Sequence, residues 1–252
     1  MPTITKPLAS YLSKQLRLIG LASKIEFLTL QSNMAMNTYY TTKLYPLQDK
    51  VLSLISSIDT PFYLTGGTAL SRGYYNHRYS DDLDFFVNQN SEFLKLTTDI
   101  LNQLTSKFTC VIKHRSDSFV SLFLEDQLKI DFVNDIAFHS GELNSLPLFC
   151  RVDNVQNILS NKLSALISRD EPKDVVDIIT IAKNEKIDWP KIFTDANSKA
   201  VGIFPPLVVE RLNEFPLELL KKIKWVGDVP DINKFQEEVS VICQTILNPL
   251  KP

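Results

Sequence analysis

The sequence predicts an α+β fold, a mixed sheet with helices followed by an all-helical C-terminal region. Three observations carry this reading. Three strand-like apolar runs, at 108–114, 118–124 and 128–133, succeed one another across short polar breaks. Helical periodicity flanks and precedes them. After about residue 139 only helical periodicity remains.

Taken in order, Leu44, Leu47, Val51, Leu52, Leu54 and Ile55 recur at helical spacing and predict an amphipathic helix over 43–57. Phe62-Tyr63-Leu64 is a short strand stopped by Gly66-Gly67. A helix over 68–76 follows, with Thr68 placed to cap it. A strand at 83–88 and a helix at 92–107 come next. The breaks Arg115-Ser116-Asp117 and Glu125-Asp126-Gln127 join the three later strands as hairpins. Ile158, Leu159, Leu163, Leu166 and Ile167 then form one helical stripe. Val175, Val176, Ile178, Ile179 and Ile181 form another, with Pro172 suited to its first turn. Further helices are expected at 189–196, 206–212, 217–223 and 235–247, punctuated by Pro205-Pro206 and Pro216.

Composition bounds the function. The chain has 252 residues, 44% hydrophobic and 22% charged, enough for one large or two small globular domains. A net charge of -2 argues against a mainly electrostatic nucleic-acid binder. Cys110, Cys150 and Cys243 are far apart, have no metal-ligand spacing and read as buried or free thiols in a reducing compartment. No run reaches the 18 or more apolar residues of a membrane span, and no secretory signal is evident. The expectation is a cytoplasmic protein with no membrane partner.

The first 35 residues carry a local balance of +3, which leaves -5 for the remainder. Met34 and Met36 stand just before a strong helical pattern. One reading starts translation at one of these methionines and makes the preceding segment an upstream extension. The other is an ordinary N-terminal helix with a basic face.

Chemistry concentrates between Gly66 and Asp84. Asp82 and Asp84 are two apart at the start of an apolar strand, so both point to one face. Such a pair of hard oxygen donors holds a divalent metal beside a phosphate. Asp131, in Leu128-Lys129-Ile130-Asp131-Phe132-Val133, is a candidate third carboxylate from a neighbouring strand. Alone it would read as the solvent face of an edge strand. Gly66-Gly67 allows close backbone approach, and a following helix start offers unpaired amides to phosphate. A plain strand-to-helix turn needs the same glycines, but the carboxylate pair 15 residues after Gly67 sharpens the signal. Arg78 either contacts phosphate, orients the carboxylates or makes a structural ion pair. His77 reads as structural, and Tyr74 and Tyr75 as packing residues.

Three blocks resemble one family. They are Leu64-Thr65-Gly66-Gly67-Thr68-Ala69-Leu70 with His77-Arg78-Tyr79-Ser80-Asp81-Asp82-Leu83-Asp84-Phe85-Phe86, then Lys129-Ile130-Asp131-Phe132-Val133. The last is Asn161-Lys162-Leu163-Ser164-Ala165-Leu166 with Arg169 and Lys173-Asp174-Val175-Val176-Asp177. Across roughly residues 37–185 the chain resembles the AbiEii/AbiGii-type nucleotidyltransferase toxins of the DNA polymerase beta-like superfamily. The resemblance implies a polymerase-beta-like nucleotidyltransferase core over 36–138, after an N-terminal extension over 1–35, and a helical domain over 139–252. The active site would lie in the cleft between core and helices.

By that resemblance Gly66, Gly67 and Thr68 hold the nucleoside triphosphate, Thr68 standing where many members have serine. Asp82 and Asp84, with Asp131, bind Mg2+ or Mn2+. Lys162 reaches the triphosphate, and Asp177, or else Asp174, completes the catalytic set. The expected reaction moves a nucleoside monophosphate from an NTP to an acceptor hydroxyl, the 3' end of tRNA favoured. The expected setting is a toxin–antitoxin or phage-defence pair, with an antitoxin encoded next door. The alternatives are a protein-modifying nucleotidyltransferase and a non-catalytic NTP- or partner-binding module of the same fold.

Overall fold

The computed structural model describes residues 31 and 33–248. The expectations for the basic segment up to residue 30 lie outside the described residues. The described residues fall into two compact units, divided between Pro46 and Leu47. In the first, 33–39 are helical and run into a π-helical stretch, Tyr40–Leu44.

The second unit is built on one seven-stranded mixed sheet. Its strands are β1 (Tyr63–Thr65), β2 (Leu83–Asn88), β3 (Cys110–Arg115), β4 (Phe119–Leu124), β5 (Leu128–Asp135), β6 (Asn144–Leu146) and β7 (Phe149–Val152), in the order β3-β4-β5-β2-β1-β7-β6. Helix α1 is Tyr45–Ser56. Helix α2 starts at Gly66–Thr68 and continues as the π-helical turn Ala69–Tyr75, and α3 is Phe93–Thr105. The expectation of helices only after about residue 139 is corrected by β6 and β7. These strands are short, and β7 pairs parallel to β1 at Leu64 and Val152. Three or four residues give periodicity too little length to register against the helical background.

The period of two decides which residues face the core. In β2, Leu83, Phe85 and Val87 are buried, and in β5 so are Leu128, Ile130 and Phe132. Phe85 and Phe132 stack at 5.3 Å between ring centroids, and Phe62 meets Phe132 edge-on. Each buried ring contributes about 1.5–3 kcal/mol by area alone. Asp84 and Asp131 are thereby left on the opposite face.

Five further helical segments follow: α4 (Val155–Ser168), α5 (Pro172–Asn184), α6 (Trp189–Lys199), α7 (Pro205–Asn213) and α8 (Ile232–Leu247). The expected helix at 217–223 is instead a 3-10 helix, Leu217–Lys222. Helix α4 is capped by the Asn154 side chain, which accepts from the Asn157 amide at 2.9 Å, and α5 opens on Pro172 as expected. Helices α5, α6 and α7 all pack on α4, which is their shared partner.

Candidate active site

A cleft of about 420 Å³ lies between the β1/α2 turn, β2 and β5 on one side and α4 with the start of α5 on the other. Strand pairing sets its floor. Thr65 pairs with Asp84, Asp84 with Asp131, and Asp131 with Ser121, so four strands deliver one transverse row. Asp82, just ahead of β2, joins Asp84 and Asp131 in lining the cleft.

The three carboxylates are not equivalent. Asp131 is engaged: Ser121 Oγ donates to its Oδ1 at 2.6 Å and Lys129 Nζ lies 2.5 Å from its Oδ2. The carboxylates of Asp82 and Asp84 receive no hydrogen bond or ion pair among the described residues. Burial, then the charges of Asp82 and Asp131, push the Asp84 carboxyl up to about 6. Burial also raises Asp82, against the pull of Lys173 and Lys129. Two unpaired carboxylates crowded in a half-buried cleft are what a hard dication relieves, and Mg2+ characteristically takes one or two carboxylates plus substrate phosphate. The pair Asp82 and Asp84 fits that role. Asp131, the third carboxylate of the expected set, lines the same cleft and pairs in register with Asp84, with Ser121 and Lys129 as its partners.

The glycine turn is dictated by the same carboxylate. Gly66 has φ +69°, and a Cβ there would fall on Asp84 Oδ2. At Gly67 a Cβ would lie 2.7 Å from Arg78 Nη2 and 3.0 Å from Ser80 Oγ. Thr68 departs from expectation. The helix starts at Gly66, two residues early, so Thr68 does not cap it and is fully buried, and its hydroxyl donates to the Asp82 carbonyl. It steadies the loop that carries the carboxylates and does not line the cleft. Thr65 and Ser80 do line the cleft from this side.

On the far wall, Lys162 is the central cation. Its Nζ lies 2.7 Å from Asp174 Oδ1 and 2.6 Å from Asp177 Oδ2. Arg78 forks onto Asp177, with Nε to Oδ1 and Nη2 to Oδ2 both at 2.7 Å, and His77 Nε2 adds a contact to Oδ1 at 2.8 Å. Burial alone would raise Asp177; Lys162 and Arg78 together hold it well below the usual carboxylate range. Neither Asp174 nor Asp177 lines the cleft. Asp177, expected in the catalytic set, is fully buried and contacts Lys162 and Arg78. Arg78 lines the cleft but is 4% exposed and gives its fork to Asp177. The cleft also contains cations that the motif reading left without a role: Lys129, Lys173 and Arg169. Lys129 was visible as the alternate-face neighbour of Asp131. Lys173 and Arg169 needed the turn between α4 and α5.

A curated protein of Aquifex aeolicus (strain VF5), uncharacterized protein aq_aa25, is 28% identical over 170 residues, covering 66% of this chain and 79% of that one. The fold is similar to JHP933 from Helicobacter pylori, with a TM-score of 0.53 and 22% identity over 82% of this chain and 91% of that one. It is likewise similar to MenT4, the nucleotidyltransferase toxin Rv2826c from Mycobacterium tuberculosis H37Rv, with a TM-score of 0.54 and 17% identity over 81% and 83%. The family described as nucleotidyl transferase AbiEii toxin, type IV TA system, matches residues 52–224. That match spans well over half of the chain and every residue lining the cleft, and the chain accordingly belongs to the AbiEii family of nucleotidyltransferase toxins.

Proposed function

We propose that this nucleotidyltransferase transfers a nucleoside monophosphate from an NTP bound with Mg2+ or Mn2+ to the terminal hydroxyl of tRNA, as the toxin of a pair whose antitoxin is encoded beside it. One observation carries the chemistry: Asp82 and Asp84 stand unpaired across a cleft from Lys162, Lys173 and Arg169. A divalent cation held by Asp82 and Asp84 would neutralise phosphate charge and orient the attacking oxygen. The Gly66-Gly67 turn brings backbone against the triphosphate, with first-turn amides of α2 as donors. Lys162 is a point charge for the phosphates, preset by Asp174 and Asp177. The acceptor oxygen bonds to the α-phosphorus as the bond to pyrophosphate breaks. Asp131, which accepts from Ser121 and Lys129 on the same cleft floor, takes the acceptor proton. The tRNA acceptor rests on the family resemblance.

The test is purified protein with each of the four labelled NTPs, Mg2+ or Mn2+ and total tRNA. Label on tRNA 3' ends with at least one nucleotide, abolished in Asp82→Ala, is expected. Label appearing on protein and never on RNA would move the acceptor to a polypeptide. No incorporation with any nucleotide would overturn the tRNA reading.

A further inference from the structure

Lys199, the last residue of α6, grips α4 without a counter-ion. Its Nζ donates to Asn157 Oδ1 at 2.6 Å, and to Ser160 Oγ and Asn161 Oδ1 at 2.7 Å each. All its acceptors are uncharged, and no acidic side chain pairs with it among the described residues. Ser160 Oγ in turn donates to the Asn157 carbonyl, and Asn157 Nδ2 to the buried Asp153 carboxylate. Burial draws the Lys199 ammonium down to about 8, and Asp153, Asp135 and Asp195 hold it up. Such a lysine is a net cost to the fold, and one of its contacts reaches the active cleft.

That contact is Asn161, which lines the cleft one residue ahead of Lys162. A lysine ammonium has donors and no acceptor, so the atom turned to it is the amide oxygen, and the flip of Asn161 is fixed. Asn161 Nδ2 makes no hydrogen bond among the described residues and is not sealed from solvent. A cleft-lining side chain therefore keeps an accessible pair of amide donors.

Its place along the cleft says what it meets. Lys173 is the strongest cationic influence on Asp82, and Lys162 on Asp84. The order Asp82, Asp84, Phe86 along β2 is thus met by Lys173, Lys162 and Ile158 on the helices. Phe86 pairs in register with Val133, and Phe86, Val133 and Ile158 all line the cleft, which grades from charged to apolar. Asn161 is one turn from Ile158 on α4. Lys199 feels Asp135, two residues past Val133 on the same face of β5. Both relations set the amide toward the apolar end, where a nucleoside belongs when its phosphates meet the metal and the lysines.

We propose that Lys199 is a positioning residue for nucleotide recognition: by holding Asn161 Oδ1 it sets Asn161 Nδ2 as a fixed donor to an uncharged oxygen of the nucleoside, a ribose hydroxyl or a base carbonyl. This rests on the cleft binding an NTP. The lysine acts through the amide and does not touch the nucleotide.

The full chain is titrated calorimetrically at pH 7 with Mn2+ and the α,β-methylene analogues of the four NTPs, and separately with inorganic triphosphate. Asn161→Ala and Lys199→Met should each weaken at least one nucleotide by roughly threefold to tenfold. The double variant should lose no more than Asn161→Ala alone. Inorganic triphosphate should bind every variant within about twofold of the unaltered chain, which a collapsed cleft would not allow. The 2'- and 3'-deoxy analogues separate the two sources. With a ribose hydroxyl, one of them reproduces the loss in the unaltered chain and the variants lose nothing more. With a base carbonyl, the loss persists on the deoxy analogues and spares the adenine nucleotide, which has no carbonyl. Lys199→Gln, which accepts as well as donates, should show the same loss and decides the matter if the methionine is not accommodated. Unchanged nucleotide binding in the Lys199 variant, losses that add in the double variant, or an equal loss for triphosphate overturns the proposal alone. No nucleotide binding by the unaltered chain would overturn the NTP reading of the cleft and this proposal with it.

Discussion

Lys162 Nζ meets Asp177 Oδ2 at 2.6 Å where neither side chain has appreciable access to water, the lysine side chain being 8% exposed and the aspartate 0%. Asp174 approaches the same nitrogen at 2.7 Å. Two carboxylates thus converge on one ammonium, and Arg78, His77 and Arg169 complete their coordination. The cluster fixes the cation at the cleft wall and fastens α5 to α4.

Removing one member should therefore cost stability as well as activity. Lys162→Met leaves two buried carboxylates without their shared cation and is expected to lower unfolding free energy by about 3–5 kcal/mol. Asp177→Asn, which keeps shape, should cost less but still lower it measurably. Urea unfolding of the purified variants checks this. Wild-type stability in Lys162→Met would mean that the cluster does not hold the fold.

Asp84 predicts the opposite sign. Its carboxyl is raised to about 6 from an ordinary value near 3.9. The folded state then binds the proton more tightly than the unfolded chain. Its contribution to stability is full below about pH 4, falls as pH rises from about 4 to about 6, and stays low above that. Asp84→Asn should therefore stabilise the chain at pH 8 without divalent cations by about 1–2 kcal/mol, discounted for the open cleft side. That is a rise in Tm of roughly 3–6 °C, shrinking toward zero by pH 4. Thermal melts from pH 4 to 8 test it, and an equal shift at both ends would remove the assignment. The same variant should lose at least about 1,000-fold in nucleotide transfer.

Metal affinity should separate the acids. Titration with Mn2+ is expected to lose at least tenfold in affinity in Asp82→Asn, because that carboxylate has no competing partner. Asp131→Asn should stay within about threefold, since Asp131 is committed to Ser121 and Lys129. Equal losses in the two variants would restore a three-carboxylate site.

Gly66→Ala joins a strained backbone to a collision with Asp84 Oδ2. A destabilisation of about 2 kcal/mol or more is expected, with a larger loss in NTP affinity because the turn must shift. Calorimetry and nucleotide binding measured on one preparation would show both. A variant with unaltered affinity would argue against backbone contact at this turn.

Much of the site was legible before the fold. The glycine pair, the i and i+2 carboxylates and the alternation around Asp131 are local patterns. Their spacing follows from the strand period and from the exclusion of any Cβ beside Asp84. The partners of Thr68, Asp177 and Arg78 were not legible. A threonine at a helix start carries the same local signal whether its hydroxyl faces ligand or, as here, the carbonyl of Asp82 fourteen residues on. An aspartate on an apolar helix gives no sign of which basic residues will surround it.

The linear chain determined which segments alternate, which turn requires glycine and which strands carry acid, because these depend on neighbours a few residues away. Only the tertiary structure decided that β7 joins β1 and that Asp131 is shared with Ser121 and Lys129 while Asp82 and Asp84 stand open. It likewise buried Asp177 against Lys162 and Arg78. Burial and ion pairing act through space between residues far apart in sequence, 100 positions in the case of His77 and Asp177, and no local pattern records them.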